Sequence, residues 1–395
     1  MRQYAIITAS YWGFTLTDGA LRMLVVLYFH QLGYSPLQIA LLFIFYEVFG
    51  IVTNLFGGYM AARLGLAATL LAGLALQIGA LSMLLVESAW LTVPYVMAAQ
   101  ALSGIAKDLN KMSAKSGVKL VLPEDAHGKL YRWVAALTGS KNALKGLGFF
   151  LGGVLLESIG FRAAIATLAG GLVIVGVFSL FTLDRSLGRT PFKARFRQVF
   201  SKSESVNWLS AARLFLFGAR DVWFVVALPV YLQLELGWTS TSVGTLLALW
   251  IIGYGAVQVF APRITGLGTQ HTPDGRTVVF WGAVLLAVTV ALLGATVMDN
   301  SATSLVIGLM IFGLVFAINS SVHSFLIVAY AQRQSVSLDV GFYYMSNAAG
   351  RLIGTVLSGV IYQAFGLAAC LLVSAAFVFL STLIAGRLPR LKPAT

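Results

Sequence analysis

A single cysteine, Cys370, is all the thiol chemistry in this 395-residue chain, which excludes an intrachain disulfide and any thiolate metal cluster. Charge is also scarce. Asp, Glu, Lys and Arg together make up 10% of the residues, against about a quarter in an ordinary soluble domain, so most of the chain is not built to face water. Acids are scarcer than bases, 14 against 27. Catalytic signatures are missing as well. There is no Walker loop, no Ser/His/Asp set at usable spacing and no cluster of metal-ligating residues, so no enzyme activity, cofactor or metal is expected. Gly146-x-Gly148 and Gly152-Gly153 suit close helix packing better than a nucleotide loop.

What is abundant is apolar surface: 58% of the residues are hydrophobic. Runs of the ~20 residues that carry a helix across the hydrocarbon core recur along the chain, whereas membrane strands would be about half as long and would alternate. The fold class is therefore all-α and integral to the membrane. Twelve spans are expected at about 4–32, 36–58, 66–87, 91–118, 130–156, 161–183, 208–235, 240–262, 278–298, 303–331, 340–363 and 367–387, with edges good to a few residues. The first is too long for a cleaved signal segment and is read as retained. Residues 184–207 carry Arg185, Arg189, Lys193, Arg195, Arg197 and Lys202 and form a basic linker. They divide the chain into a six-helix bundle at 1–183 and a second at 208–395.

With the N-terminus inside, the cytoplasmic side collects Arg2, Arg63, Lys119, Lys129, Arg132, the linker cations, Arg263, Arg276, Arg333, Arg387, Arg390 and Lys392, and the outer loops keep Arg162. The positive-inside rule then places both termini in the cytoplasm. It also accounts for the net charge of +13 by contact with anionic headgroups, without a nucleic-acid partner.

An internal repeat supports the division. A shift of 206 residues lays Ser140, Gly148, Gly153 and Gly160 on Ser346, Gly354, Gly359 and Gly366, with Lys145 falling on Arg351. A shift of 204 lays Gly33-Tyr34-Ser35 on Gly237-Trp238-Thr239. Two six-helix halves on a cytoplasmic linker resemble the layout of the major facilitator superfamily, in which the substrate cavity lies near the midplane. Gly58-x-x-x-Ala62-Arg63-x-Gly65 resembles that superfamily's loop between helices two and three. Glycine there allows a tight turn, although Ala62 and Leu66 replace the aspartate and the final cation. The loop is read as a weakened gate element (Gly58, Arg63, Gly65) or an ordinary glycine-rich turn.

The spans also hold charges. Arg22, Lys107, Lys111, Lys115, Lys141, Lys145, Arg213, Arg220 and Arg351 face only Asp18, Glu47, Asp108 and Asp221. A cation near the bilayer centre costs about 2.5–3.5 kcal/mol on insertion scales, and intramembrane charges pair or line a water-filled path. Lys115 and Arg213 are expected to snorkel to the cytoplasmic surface. The remaining surplus suits a cavity for a multiply charged anion. Lysine ammoniums give a solvated grip and Arg220 and Arg351 a bidentate one, while Arg22, Asn110, Asn142 and Asn347 add donors. The alternative for Lys107 and Lys111 is pairing with Asp108.

Asp18 and Arg22 stand one turn apart and are expected to pair with each other. Glu47, without a cation at i±3 or i±4, is the lone protonatable group. Asp18, Glu47, Asp108 and Asp221 are the proton-coupling candidates. Arg220 and Asp221, adjacent on a helix, are not expected to face each other. His323 is read as a satisfied packing residue, and Phe149, Phe150, Trp223 and Trp250 as packing or interfacial aromatics.

Four runs carry a more specific resemblance: residues 12–40, 101–116 (ALSGIAKDLNKMSAKS), 139–153 (GSKNALKGLGFFLGG) and 207–232. They are similar to the bacterial ArsJ-type organoarsenical efflux permeases. That resemblance implies a bacterial inner-membrane exporter, read as a monomer, whose substrate is 1-arseno-3-phosphoglycerate. It also implies a functional link to glyceraldehyde-3-phosphate dehydrogenase, which makes that ester from arsenate, and arsenate resistance as the outcome. The residues alone leave open an organic-phosphate or phosphate antiporter. A multidrug exporter, whose cavity should be acidic or apolar, and a non-transporting scaffold fit less well.

Overall fold

The computed structural model describes residues 2–34, 39, 42–122, 126–184, 186–188, 203–238, 240–266, 272–298 and 301–390. The linker cations Arg185, Arg189, Lys193, Arg195, Arg197 and Lys202 lie outside the described residues, as do Ser35, Thr239 and Lys392. Among the described residues there are eleven α-helices and one 3-10 turn, Ser88–Trp90, and no strand. The helices are α1 (Arg2–Gln31), α2 (Ile44–Leu64), α3 (Leu66–Met83), α4 (Val93–Val121), α5 (His127–Thr182), α6 (Glu204–Phe224), α7 (Ala227–Leu234), α8 (Ser240–Ile264), α9 (Gly275–Met298), α10 (Ala302–Tyr330) and α11 (Val336–Ala385).

These helices supply the twelve expected crossings. α5 and α11 each contain two, because the chain bends once inside each, at Gly160 (φ 74°) and Gly366 (φ 76°). Only glycine enters that left-handed region without strain, and these two glycines are partners in the 206-residue repeat. α6 and α7 together make one crossing. Eight stretches of the described chain are long and apolar enough to span a membrane. α1 and α4 are not among them, and α4 is the helix loaded with Lys107, Asp108, Lys111 and Lys115.

One boundary differs from expectation. The second crossing does not end near residue 58 but continues as α2 to Leu64, and the turn into α3 is Gly65 alone, at φ 90°. Ala61 and Ala62 are buried, so this stretch gains more by packing as helix than by looping out.

Packing divides the chain into two compact units. The first comprises Met1–Pro123, Ser140–Phe200 and Ala331–Met345, and the second Glu124–Gly139, Ser201–Tyr330 and Ser346–Thr395. They follow the two sequence halves except at the starts of α5 and α11. A shift of 206 carries one exceptional stretch onto the other.

Close glycine contacts seat both stretches. In the second unit a Cβ on Gly139 would strike the Gly255 carbonyl and Val259 of α8. In the first, a Cβ on Gly341 would lie 2.7 Å from the Asn54 carbonyl and 3.1 Å from the Gly58 Cα of α2. Gly58 is therefore a helix-contact glycine within α2, not the tight-turn glycine expected from the loop motif.

Within the first unit α4 packs on α1, α2 and α3, and within the second α10 packs on α6, α8 and α9. The second unit's core is aromatic. Trp223 and Phe312 meet edge to face at 5.1 Å, and Trp250 stacks on Tyr254 at 5.4 Å. Trp250 and Trp223 are thus core residues, while Phe150 and Phe181, 73% and 82% exposed, present apolar surface of the kind lipid covers.

Candidate functional site

In the first unit the charges gather where α1, α2 and α4 meet. Tyr46 of α2 is the junction. Its hydroxyl donates to both oxygens of Asp18, at 2.9 and 3.0 Å, and its ring lies 3.8 Å from the Lys107 ammonium and 5.3 Å from the Arg22 guanidinium. A buried aromatic that offers a π-face to cations and a hydroxyl to a carboxylate can hold both signs of charge in one place.

Asp108, with 1% of its side chain exposed, receives Lys111 at 2.5 Å on Oδ1, and Lys107 stands 3.8 Å from Oδ2. Lys111 also lies 4.4 Å from the Tyr344 ring. Lys107 and Lys111 are both held by the acid between them in sequence, the pairing named as the alternative to substrate binding. Gly50 makes the room, since a Cβ there would stand 3.0 Å from Asp108 Oδ2.

The expected Asp18–Arg22 pairing changes. Asp18 pairs with Tyr46, while Arg22 reaches Glu47 on α2 at 3.7 Å and lies over the Phe43 ring at 4.9 Å. Glu47 is therefore not a lone carboxyl, because its cation comes from another helix, which i±3 and i±4 spacing cannot reveal. Lys115 does not snorkel: it is 2% exposed. Asn110 does not join the lysines. It donates to the Ala106 carbonyl at 2.9 Å and packs against Gly73 of α3.

Lys141, Asn142 and Lys145 are half-buried along α5, with the Lys145 ammonium 5.9 Å from the Phe149 ring. The Lys145 carbonyl and Gly148 lie against Gly19 of α1. Arg63 donates to the Tyr59 hydroxyl at 2.9 Å.

The second unit repeats the theme with arginines. Asp221 is fully buried and accepts from Arg220 Nη2 at 2.5 Å and Nε at 2.6 Å, both on Oδ1, and from Arg351 Nε at 3.1 Å on Oδ2. Arg220 and Asp221 do face each other, because a long guanidinium side chain folds back over its neighbour. Spacing rules drawn for side chains standing off the helix miss this.

Arg351 reaches Asp221 because α11 approaches α6 closely. A Cβ on Gly354 would lie 2.7 Å from the Gly218 carbonyl and 3.0 Å from Asp221 Cβ. Gly354 is the repeat partner of Gly148, which sits against α1 in the same way. Lys145 and Arg351 each stand one turn before their glycine.

Arg213 does not reach the surface as expected. It is 3% exposed, donates to Asn347 Oδ1 at 2.8 Å and to Ser320 Oγ at 3.1 Å, and covers the Phe217 ring at 3.9 Å. His323 is buried, and among the described residues neither of its ring nitrogens has a hydrogen-bond partner. Tyr46, Tyr344 and Gly50 carried no sequence signal, since an isolated tyrosine or glycine in an apolar run looks like packing.

Among the described residues no group of histidine, cysteine and acidic side chains could hold a metal ion. In each unit one buried aspartate is shared by two cations, so each cluster carries more positive than negative charge.

The sequence model of the Major Facilitator Superfamily matches residues 7–265 and 209–395. The chain belongs to that superfamily. Solved structures share the fold. A human organic anion transporter, MFSD10, aligns with a TM-score of 0.76 at 16% identity over 96% of this chain and 98% of its own. A bacterial homologue of the iron transporter ferroportin, in an outward-facing state, aligns at 0.76 and 14% over 98% and 99%. The E. coli fucose:proton symporter aligns at 0.70 and 13% over 97% and 98%. No curated protein matches. Family and fold are those of membrane transporters for small molecules, not of enzymes.

Proposed function

We propose that this superfamily member is a secondary active exporter of an organic polyanion, 1-arseno-3-phosphoglycerate, and confers arsenate resistance from the bacterial inner membrane with both termini in the cytoplasm. The observation that carries the anion reading is the pair of carboxylate-centred clusters, Lys107–Asp108–Lys111 and Arg220–Asp221–Arg351. Each cluster holds more positive than negative charge inside a membrane span. Such charge is costly without a counter-ion and selects for an anionic one. Lys141 and Lys145 add flexible ammoniums, and Arg22 and Asn142 further donors. An ester bearing arsenate, carboxylate and phosphate groups matches donors of this number and sign.

The arsenic itself rests on the resemblance of residues 12–40, 101–116, 139–153 and 207–232 to the organoarsenical permeases. Transport runs by alternating access between the halves 1–183 and 208–395 joined by the basic linker. Coupling to protons falls to the carboxyls Asp18, Glu47, Asp108 and Asp221.

Inside-out vesicles given glyceraldehyde-3-phosphate dehydrogenase, its substrates and arsenate should accumulate arsenic only when enzyme and transporter are both present. Accumulation that ignores either one refutes the arsenic reading. Exchange of unmodified glycerate phosphates at comparable rates identifies an organic-phosphate antiporter instead. Lys141→Gln or Lys145→Gln should abolish transport while the protein remains folded, and normal transport would remove that lysine from the site.

A further inference from the structure

The two aspartates that hold the cation clusters are not equivalent. Asp221 uses both oxygens: Oδ1 takes two nitrogens of Arg220 and Oδ2 takes Arg351 Nε at 3.1 Å. Its partners are guanidiniums, which stay charged at any pH a cell meets. Asp108 uses one oxygen. Oδ1 accepts from Lys111 at 2.5 Å, whereas Oδ2 is buried, accepts no hydrogen bond among the described residues and has Lys107 only at 3.8 Å. A carboxylate oxygen left unfilled in a low-dielectric place is costly while it is charged and costs far less as a protonated hydroxyl. Both ammoniums sit on flexible stems against aromatic rings, Lys107 on Tyr46 and Lys111 on Tyr344, so they can turn to another anion without losing that support.

We propose that Asp108 is the exchangeable counter-anion of the lysine pair: the transported anion takes Lys107 and Lys111 from it, and the carboxylate so released takes up one proton, whereas Asp221 stays fixed between its arginines. The inference rests on the anion-transport reading and assigns proton coupling to one of its four candidate carboxyls.

The groups around Asp108 are consistent with this. They are Lys107 and Lys111 on its own helix, Tyr46 on α2, Tyr11 and Asp18 on α1, and Tyr344 on α11. Asp18 is held by Tyr46 on both oxygens, and Glu47 keeps Arg22, so neither loses a partner when the lysines move. Around Asp221 stand Arg220, Arg351 and, within electrostatic reach on α8, Tyr254. Two cations remain there whatever binds.

The test is calorimetric titration of the purified full chain with 3-phosphoglycerate. It is run at about pH 8, above the phosphate's second ionisation at about 6, in two buffers of different ionisation enthalpy so that protons taken up per bound anion can be read. The native protein should take up about one proton per anion. Asp108→Asn should take up none and bind about tenfold tighter, because the internal competitor has lost its charge. Asp221→Asn should keep the native proton count.

Proton uptake retained in Asp108→Asn, or lost in Asp221→Asn alone, overturns the proposal. Binding by the native protein with no proton uptake overturns it too, without needing any variant to fold, and leaves the anion-transport reading standing. If the native protein binds neither 3-phosphoglycerate nor inorganic phosphate, the proposal falls, and the anion-transport reading is decided separately by the vesicle assay with dehydrogenase and arsenate.

Discussion

Gly354→Ala tests whether helix approach is what assembles the arginine cluster. The added Cβ would lie 2.7 Å from the Gly218 carbonyl oxygen, 3.1 Å from Gly218 Cα and 3.0 Å from Asp221 Cβ. Two of these neighbours are backbone, so α6 and α11 must separate. Overpacking of this kind costs about 1–3 kcal/mol, set against the ~0.5–1 kcal/mol that alanine gains over glycine within a helix.

Gly359→Ala, five residues on in the same helix, is the matched control. Its Cβ meets nothing within 4 Å, so it should gain the propensity term alone. The two variants should therefore differ by about 1–3 kcal/mol, at up to about 2–4 °C of melting temperature per kcal/mol for a chain of ordinary domain size, with Gly354→Ala the lower. Thermal unfolding of the purified protein followed by tryptophan fluorescence reads the difference. Separation of the helices should also loosen Arg351 from Asp221 and weaken anion binding in the same variant. Equal melting temperatures for the two variants would refute the packing argument.

Gly148→Ala, whose Cβ would sit 2.5 Å from the Leu16 carbonyl and 3.0 Å from Gly19 Cα, should lower the melting temperature as its repeat partner does; a neutral result breaks the equivalence. Gly341→Ala should slow transport more than it lowers stability, because it pushes on the Asn54 carbonyl of α2 at 2.7 Å, and unchanged vesicle flux counts against a gating role. His323→Leu removes two buried nitrogens that have no partner among the described residues, so stability should hold or rise by up to about 1 kcal/mol; a clear loss would mean those nitrogens are bonded. A double-mutant cycle of Arg22→Gln and Glu47→Gln should give a coupling below about 1 kcal/mol, since the pair is 3.7 Å apart with side chains 29% and 25% exposed, and a coupling several times larger would show a drier pair.

The repeat was legible because glycine leaves marks that survive in sequence. Gly160 and Gly366 were matched by spacing alone, and both turn out to be left-handed bends. Gly148 and Gly354 were matched in the same way, and both are close helix approaches. The cation-rich character of α4, α5, α6 and α11 was equally plain, because charge in an apolar run is conspicuous.

The pairings were not legible. Helix spacing pairs Asp18 with Arg22 and leaves Glu47 alone, whereas Tyr46 and Arg22 are their partners. It separates Arg220 from Asp221, which touch, and sends Lys115 and Arg213 to the surface, whereas both are buried. In the loop motif, Gly65 makes the turn, while Gly58 is a contact inside α2.

By itself the sequence determined the solvent this chain lives in, the number and rough limits of its crossings, the two-fold repeat and the sign of the charge it carries inside the membrane. Those properties follow from hydropathy, length and residue counts, which need no partner. Tertiary structure decided which acid neutralises which cation, how completely, and which glycines are bends and which are contacts. Helical periodicity says which residues share a face, but not which helix stands opposite. A charge in a low-dielectric interior is governed by neighbours a few ångströms away. For Asp108 and Asp221 these come from other helices as well as their own, and the folded arrangement alone shows that one has a carboxylate oxygen unfilled and the other has none.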